Sequence, residues 1–195
     1  AEGFRWLWSQ ELLRRLALVS CALGAASFVG NGVFVIFARD ELGLSELGYG
    51  LLLVPGAFGG IAGSFLAARL GRVPLRAALA AAVLTSGGAT FVYATASSPV
   101  LVGLLAATSL GAVMVWNVLT VALRQRLIPD ELLGRVAASY RFLVILGMPV
   151  GALIGGVIAS EFGVRTALLV SGSSLIAIGA LVPVVLRHVG EYDTR

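Results

Sequence analysis

Six long apolar stretches dominate the 195-residue chain, and short polar or glycine-containing connections separate them. A helix needs about 20 apolar residues to cross the hydrocarbon core of a bilayer. The pattern therefore predicts an all-α membrane protein with six transmembrane helices. The predicted spans are residues 16–37, 49–68, 77–96, 100–123, 142–160 and 166–186.

The segment before the first span combines aromatic and basic residues, among them Trp6, Trp8, Arg14 and Arg15. Tryptophan is enriched at the headgroup layer of a membrane, where arginine side chains extend towards water. We therefore expect an interfacial amphipathic helix in this segment. The predicted domains are a cytoplasmic linker with this helix (1–15), the six-helix bundle (16–186) and a cytoplasmic tail (187–195).

The composition fits a membrane bundle and excludes most other classes of protein. Hydrophobic residues make up 58% of the chain and charged residues only 12%, whereas a soluble domain carries about 25% charged residues. The single cysteine, Cys21, and the single histidine, His188, form no cluster of metal ligands and no catalytic pair. We therefore expect no metal ion, no cofactor and no enzymatic activity.

All fourteen basic residues are arginines, and their distribution predicts the orientation of the chain. Only Arg39 and Arg165 fall in one set of alternating connections, and the other set holds twelve. Cytoplasmic loops carry the excess of basic residues, so we expect both termini in the cytoplasm of a bacterial inner-membrane, multi-pass protein. Because arginines at span ends serve this purpose, we expect no nucleic-acid partner. The twelve are Arg5, Arg14, Arg15, Arg69, Arg72, Arg76, Arg124, Arg126, Arg135, Arg141, Arg187 and Arg195.

The second and fifth spans share a pattern that indicates an internal repeat, since three small residues recur at a constant offset of 92. The matches are Gly63, Ala67 and Gly71 with Gly155, Ala159 and Gly163. This offset spans three helices, so the second copy enters the membrane upside down, as in inverted repeats. Glycines four residues apart lie on one helix face, where a neighbouring backbone can approach closely. The expected helix-packing glycines are Gly56, Gly60, Gly63, Gly147, Gly151 and Gly155.

Polar residues recur on one face of the first span and on one face of the fourth, which occupy equivalent places in the two repeats. The chain has only two asparagines, Asn31 and Asn117, and each lies on one of these faces. An amide facing lipid would lack hydrogen-bond partners, so both side chains should face protein or water. The faces line a substrate cavity or supply hydrogen bonds between helices. The candidate cavity residues are Asn31, Phe34, Trp116, Asn117 and Thr120.

Two connections resemble those of the major facilitator superfamily. Residues 64–72 resemble its signature loop, usually Gly-x-Leu-Ala-Asp-Arg-x-Gly-Arg, although Ser64 and Ala68 replace the first glycine and the aspartate. Residues 124–136 and 149–156 resemble the eleventh-helix region of the branch that includes the enterobactin exporter and macrolide-efflux-like proteins. We expect a short surface helix to begin at Pro129, because proline and acidic residues suit a first turn. The resemblance implies a cytoplasmic gate at Arg69, Gly71, Arg72, Arg124, Gly134 and Arg135.

The resemblance implies that the chain is helices seven to twelve of an efflux antiporter that works by alternating access. The lipid bilayer, a small-molecule substrate and an N-terminal six-helix half would be its partners, with the second and fifth spans at the interface between the halves. All ten acidic residues lie outside the predicted spans, so any proton-coupling carboxylate would belong to the other half. Two alternatives remain open: a parallel homodimer of six-helix chains, and a membrane scaffold or sensor that does not transport.

Overall fold

A computed structural model describes residues 2–70 and 73–186, and helices account for nearly all of them. Six of the helices are long and apolar enough to cross a membrane, which confirms the predicted fold class. One short helix precedes the first of these spans, and that span itself consists of three helical pieces. In chain order the elements are α1 (Glu2–Ser9), α2 (Glu11–Asn31), α3 (Phe34–Ile36), a π-helical turn (Phe37–Glu41), α4 (Glu46–Arg69), α5 (Leu75–Thr95), α6 (Pro99–Leu127), α7 (Asp130–Phe162) and α8 (Val164–Val185).

The first membrane span is a broken helix. The backbone leaves the α-helix after Asn31, and the Val33 amide donates to the Gly30 carbonyl three residues back. The chain resumes in α3, and the π-helical turn carries it to the end of the span. Breaks of this kind in membrane helices occur where the backbone is buried in protein or lines a cavity.

The segment that begins at Asp130 is continuous with the fifth span, so the expectation of a separate surface helix there was wrong. Helix α7 runs without interruption for 33 residues, or about 50 Å at 1.5 Å per residue. That length exceeds the hydrocarbon core by about 20 Å, so part of α7 extends beyond it. Its first turns contain no proline, and Gly134 alone is too weak a helix breaker to end them. Gly163, with φ of 88°, stops the helix before α8.

Glycines bring the backbones of two helix pairs into direct contact. A β-carbon at Gly151 or Gly155 of α7 would overlap the carbonyl oxygen of Ala25 or Val29 in α2. A β-carbon at the predicted packing glycine Gly147 would likewise overlap the Cys21 carbonyl oxygen of α2. In the second pair, a β-carbon at the predicted packing glycine Gly63 of α4 would overlap the Gly111 carbonyl oxygen of α6, and one at Gly59 would overlap that of Ala107. Gly56 and Gly60 instead face the Leu110 and Met114 side chains, with β-carbon distances of 3.4 and 3.6 Å.

These contacts also display the inverted repeat. Gly59 and Gly63 of α4 meet α6 in the same way that Gly151 and Gly155, each 92 residues later, meet α2. In both pairs the contacts advance four residues along each helix, so the paired helices are parallel. Helices α5 and α8 are instead antiparallel. A β-carbon at Gly172 would lie 2.6 Å from the Phe91 amide nitrogen, and one at Gly179 would lie 3.0 Å from Leu84.

Different polar contacts fasten the two ends of the bundle. At the arginine-rich end, where Arg15, Arg124 and Arg135 lie, Arg135 pairs with Glu2 at 2.5 Å and so holds α1 against α7. Arg15 donates to the Val185 carbonyl at the end of α8, at 3.2 Å. At the opposite end, where Arg39 lies, Arg165 pairs with Glu41 of the π-helical turn at 2.8 Å.

Candidate functional site

A cavity of about 1000 Å³ lies within the bundle, and side chains of α2 to α8 line it. All five candidate cavity residues are in its wall, which brings the polar faces of the first and fourth spans together. Asn31 lies at the helix break and Asn117 in the middle of α6, and both are exposed. Their amides therefore remain available to a ligand, whereas Trp116 is only 7% exposed and contributes little surface to the cavity.

Thr120 has a hydroxyl that is largely used within its own helix. Its Oγ1 donates to the carbonyl of Trp116 at 2.8 Å, and the Asn117 carbonyl lies 3.2 Å away. The residue is 2% exposed. Thr120 therefore shapes this turn of α6, and the hydroxyl hydrogen is not free to bind a ligand.

A cluster of four aromatic rings lies at the end of the cavity opposite to the arginine-rich one, and Phe34 and Tyr93 of this cluster line the cavity. Phe34 packs edge-on against Tyr93 with ring centroids 5.6 Å apart. The ring centroids of Phe37 and Tyr49 lie 6.2 and 6.4 Å from that of Phe34. Behind this cluster, Arg165 binds Glu41 of the π-helical turn through Nε at 2.8 Å. This pair joins the broken first span to α8.

A group of hydroxyls lines the wall between α5 and α6. Ser109 lies 2.9 Å from Ser86 and 3.3 Å from Thr90, oxygen to oxygen. The sequence interpretation considered only the first and fourth spans and missed the two α5 residues. Their signal is the spacing of Ser86, Thr90 and Tyr93, which repeats at four and three residues along one face of the third span.

The cavity reaches the arginine-rich end between Arg124, Tyr140 and Ser20. The Arg124 guanidinium lies 3.8 Å from the centroid of the Tyr140 ring. The Tyr140 hydroxyl is hydrogen-bonded to Ser20 Oγ at 2.6 Å, and Arg141 lines the wall beside it. Sequence reasoning placed Arg124 in a surface gate and missed Tyr140, because the fifth span was expected to begin only at Phe142.

The remaining gate candidates that the structure describes do not line the cavity. Arg69 is exposed at the end of α4. Gly134 is also exposed, and a β-carbon added there would have no atom within 4 Å. Arg135 is held by Glu2. Gly71, Arg72 and residues 187–195 lie outside the described residues.

Six apolar helices, arranged as two inverted triplets around a mostly apolar cavity with a few polar groups in its wall, are the architecture of one bundle of a secondary transporter. The family model of the Major Facilitator Superfamily matches residues 15–193. The chain therefore belongs to this family of membrane transporters, which are not enzymes, and is a multi-pass membrane protein. No curated protein and no solved structure matches the chain.

Proposed function

We propose that the chain is the C-terminal bundle of an alternating-access exporter and that its cavity binds the small molecule being moved. The observation that carries this proposal is the convergence of Asn31 and Asn117 on one cavity. Buried space lined by amides, hydroxyls and aromatic rings is what a ligand site requires. The helix break beside Asn31 adds a point at which the first span can bend.

The direction of transport, the second bundle and the source of a coupling carboxylate are further proposals. Efflux, and the branch that includes enterobactin and macrolide exporters, rest on the likeness of residues 124–136 and 149–156. An N-terminal six-helix bundle would complete the cavity, and a second copy of this chain is the alternative. Within the described residues no acidic side chain lines the cavity. A proton-coupled mechanism would therefore draw its carboxylate from that other bundle.

Cysteine labelling tests whether the cavity is a water-filled path. We expect Asn117→Cys, in a Cys21→Ser background, to react with a small membrane-impermeant maleimide at least about tenfold faster than Val118→Cys. Val118 is the adjacent exposed residue of α6 but does not line the cavity. A thiol reacts as the thiolate, which needs water, so a lipid-facing cysteine stays unlabelled. Mass spectrometry of the labelled chain gives both rates.

Labelling from each side separates transport from the scaffold alternative. A transporter exposes Asn117→Cys to reagent added outside intact cells and also to reagent added to inverted vesicles. Labelling from one side alone would support a scaffold or sensor, and equal rates for positions 117 and 118 would refute the cavity role. Native mass spectrometry of the purified chain distinguishes a homodimer from a bundle that needs a different partner.

The predicted orientation has its own pair of reporters. Val73 lies between α4 and α5 at the arginine-rich end, and Ser97 lies between α5 and α6 at the opposite end. In intact cells that express the chain in the Cys21→Ser background, an impermeant maleimide should label Ser97→Cys but not Val73→Cys, because arginine-rich connections stay in the cytoplasm. The reverse pattern would overturn the assignment of both termini to the cytoplasm.

A further inference from the structure

We infer that the cavity selects amphipathic organic anions and that Arg124 is the residue that binds the anionic group. This inference rests on the proposed function, because it names the chemical class of ligand for the same cavity. Its starting point is the distribution of charge. Arg124 and Arg141 line the cavity, and among residues 2–70 and 73–186 no aspartate or glutamate does.

The Arg124 charge is not neutralised by a carboxylate within the described ranges. The ion pairs found there use Arg15, Arg135 and Arg165 instead. Arg124 is half-buried near the arginine-rich end of a membrane-spanning helix, and partial burial of a charge without a counter-charge is unfavourable. A bound anion would supply the counter-charge that the bundle itself lacks.

The position of the guanidinium favours a carboxylate or a phosphate. It lies over the Tyr140 ring at 3.8 Å, and the ring is itself anchored through Ser20. A guanidinium carries its N–H donors in its own plane, so those that do not face Tyr140 can donate to two anionic oxygens. The arrangement therefore holds the donor in place before a ligand arrives.

The rest of the wall indicates that this anion has an apolar body. Beyond the arginine-rich end, the cavity passes Leu23, Val83 and Trp116 and finishes at the aromatic cluster around Phe34. Isolated amides and hydroxyls interrupt this surface, and Arg124 and Arg141 are the charged side chains that line it among the described residues. A cationic amphiphile would place its charge beside Arg124 without any described acid to offset the repulsion.

Fluorescence energy transfer from Trp116 tests the inference on the whole chain. A Trp6→Phe, Trp8→Phe background leaves Trp116 as the only tryptophan, since the chain has three. Three dansyl-labelled probes with the same undecyl chain, ending in a carboxylate, an amine or an alcohol, are titrated into the protein in phosphatidylcholine nanodiscs. We expect the carboxylate to bind about tenfold tighter than the other two, as one charge-assisted hydrogen-bonded contact allows.

Variants at two arginines of the same helix provide the matched comparison. Arg124→Gln should remove the preference for the carboxylate, and Arg124→Lys should restore part of it, because lysine keeps the charge but not the planar donor pair. Arg126→Gln should change nothing, because Arg126 is exposed and lies outside the cavity wall. Equal weakening by Arg124→Gln and Arg126→Gln would overturn the inference.

The probes also separate failure of this inference from failure of the proposed function. Equal affinity for all three probes would refute anion selectivity but leave a ligand cavity in place. Absence of energy transfer from Trp116 to any probe would overturn both proposals. Adding phosphatidylglycerol to the nanodiscs distinguishes two sources of the anion. Displacement of the carboxylate probe would support a membrane lipid as the occupant, and undisturbed binding would support a dissolved amphiphile.

Discussion

Gly155→Ala is expected to destabilise the bundle by about 3 kcal/mol, at the upper end of the usual cost of overpacking. The added methyl group would overlap the Val29 carbonyl oxygen of α2. That obstacle is backbone, which cannot rotate away as a side chain can, so α2 and α7 must separate along their contact. The melting temperature of the purified chain in detergent should fall by the order of 10 °C.

The neighbouring glycine provides the control for this experiment. Gly156 is exposed, and a β-carbon there would have nothing within 4 Å. Gly156→Ala should therefore leave the melting temperature unchanged or raise it slightly, since alanine favours a helix more than glycine does. If the two variants lost the same amount of stability, close backbone packing would not explain the glycine pattern of α7. Gly63→Ala, at the equivalent place in the first repeat, should behave as Gly155→Ala does.

Arg165→Gln is the second change from which we expect a large effect, a loss of about 3 kcal/mol. Besides binding Glu41, the guanidinium donates through Nη1 to the carbonyl oxygens of Ala94 at 2.8 Å and Ala96 at 3.1 Å. These carbonyls end α5 and have no helical partner further along the chain. Hydrogen bonds from a charged donor contribute about 1.5–3 kcal/mol each, and glutamine is too short to replace both.

Glu41→Gln separates the carbonyl contacts from the ion pair. The two side chains of the pair are 31% and 39% exposed, and pairs open to solvent contribute about 0–1 kcal/mol. We therefore expect Glu41→Gln to cost less than a third of the loss in Arg165→Gln, measured as thermal unfolding in detergent. Arg39→Gln, at an exposed arginine of the same end, should cost close to nothing. Equal losses for Glu41→Gln and Arg165→Gln would show that the ion pair is the stabilising contact.

The Arg165 contacts matter for function because they support the aromatic end of the cavity. The guanidinium also faces the Phe37 ring, 5.3 Å from its centroid, and Phe37 packs against Phe34 and Tyr93. Loosening Arg165 would weaken this support of the aromatic cluster, which closes that end of the cavity in the proposed function. The proposed transport cycle needs such a closure at one end while the other end is open.

The number of spans and the glycine contacts could be predicted from the sequence. The span count follows from length and hydropathy, which act locally along the chain. The offset of 92 between Gly63 and Gly155 correctly indicated two equivalent helix contacts. Gly59 makes a backbone contact that the candidate list omitted in favour of Gly56 and Gly60. Glycine spacing defines a face of the helix, but the crossing geometry decides which residue on that face touches the neighbour.

The place of Arg124 could not be predicted from the sequence. Its position between an apolar stretch and a polar connection suggested a cytoplasmic surface, in keeping with the other arginines. In the folded chain α6 and α7 both extend beyond their expected bounds, so Tyr140 belongs to a helix and reaches Arg124. Hydropathy marks where lipid ends, but helix length beyond that point depends on capping and on tertiary contacts.

The sequence by itself determined a six-helix, inverted-repeat membrane bundle, because bilayer thickness and close packing act on composition and spacing alone. The tertiary structure decided how the polar residues are used. It placed Asn31 and Asn117 in one cavity, assigned the Thr120 hydroxyl to its own backbone, and brought Arg124 to the cavity wall without a carboxylate partner among the described residues. These outcomes depend on which helix faces meet across long sequence separations, and no local pattern along the chain specifies those pairings.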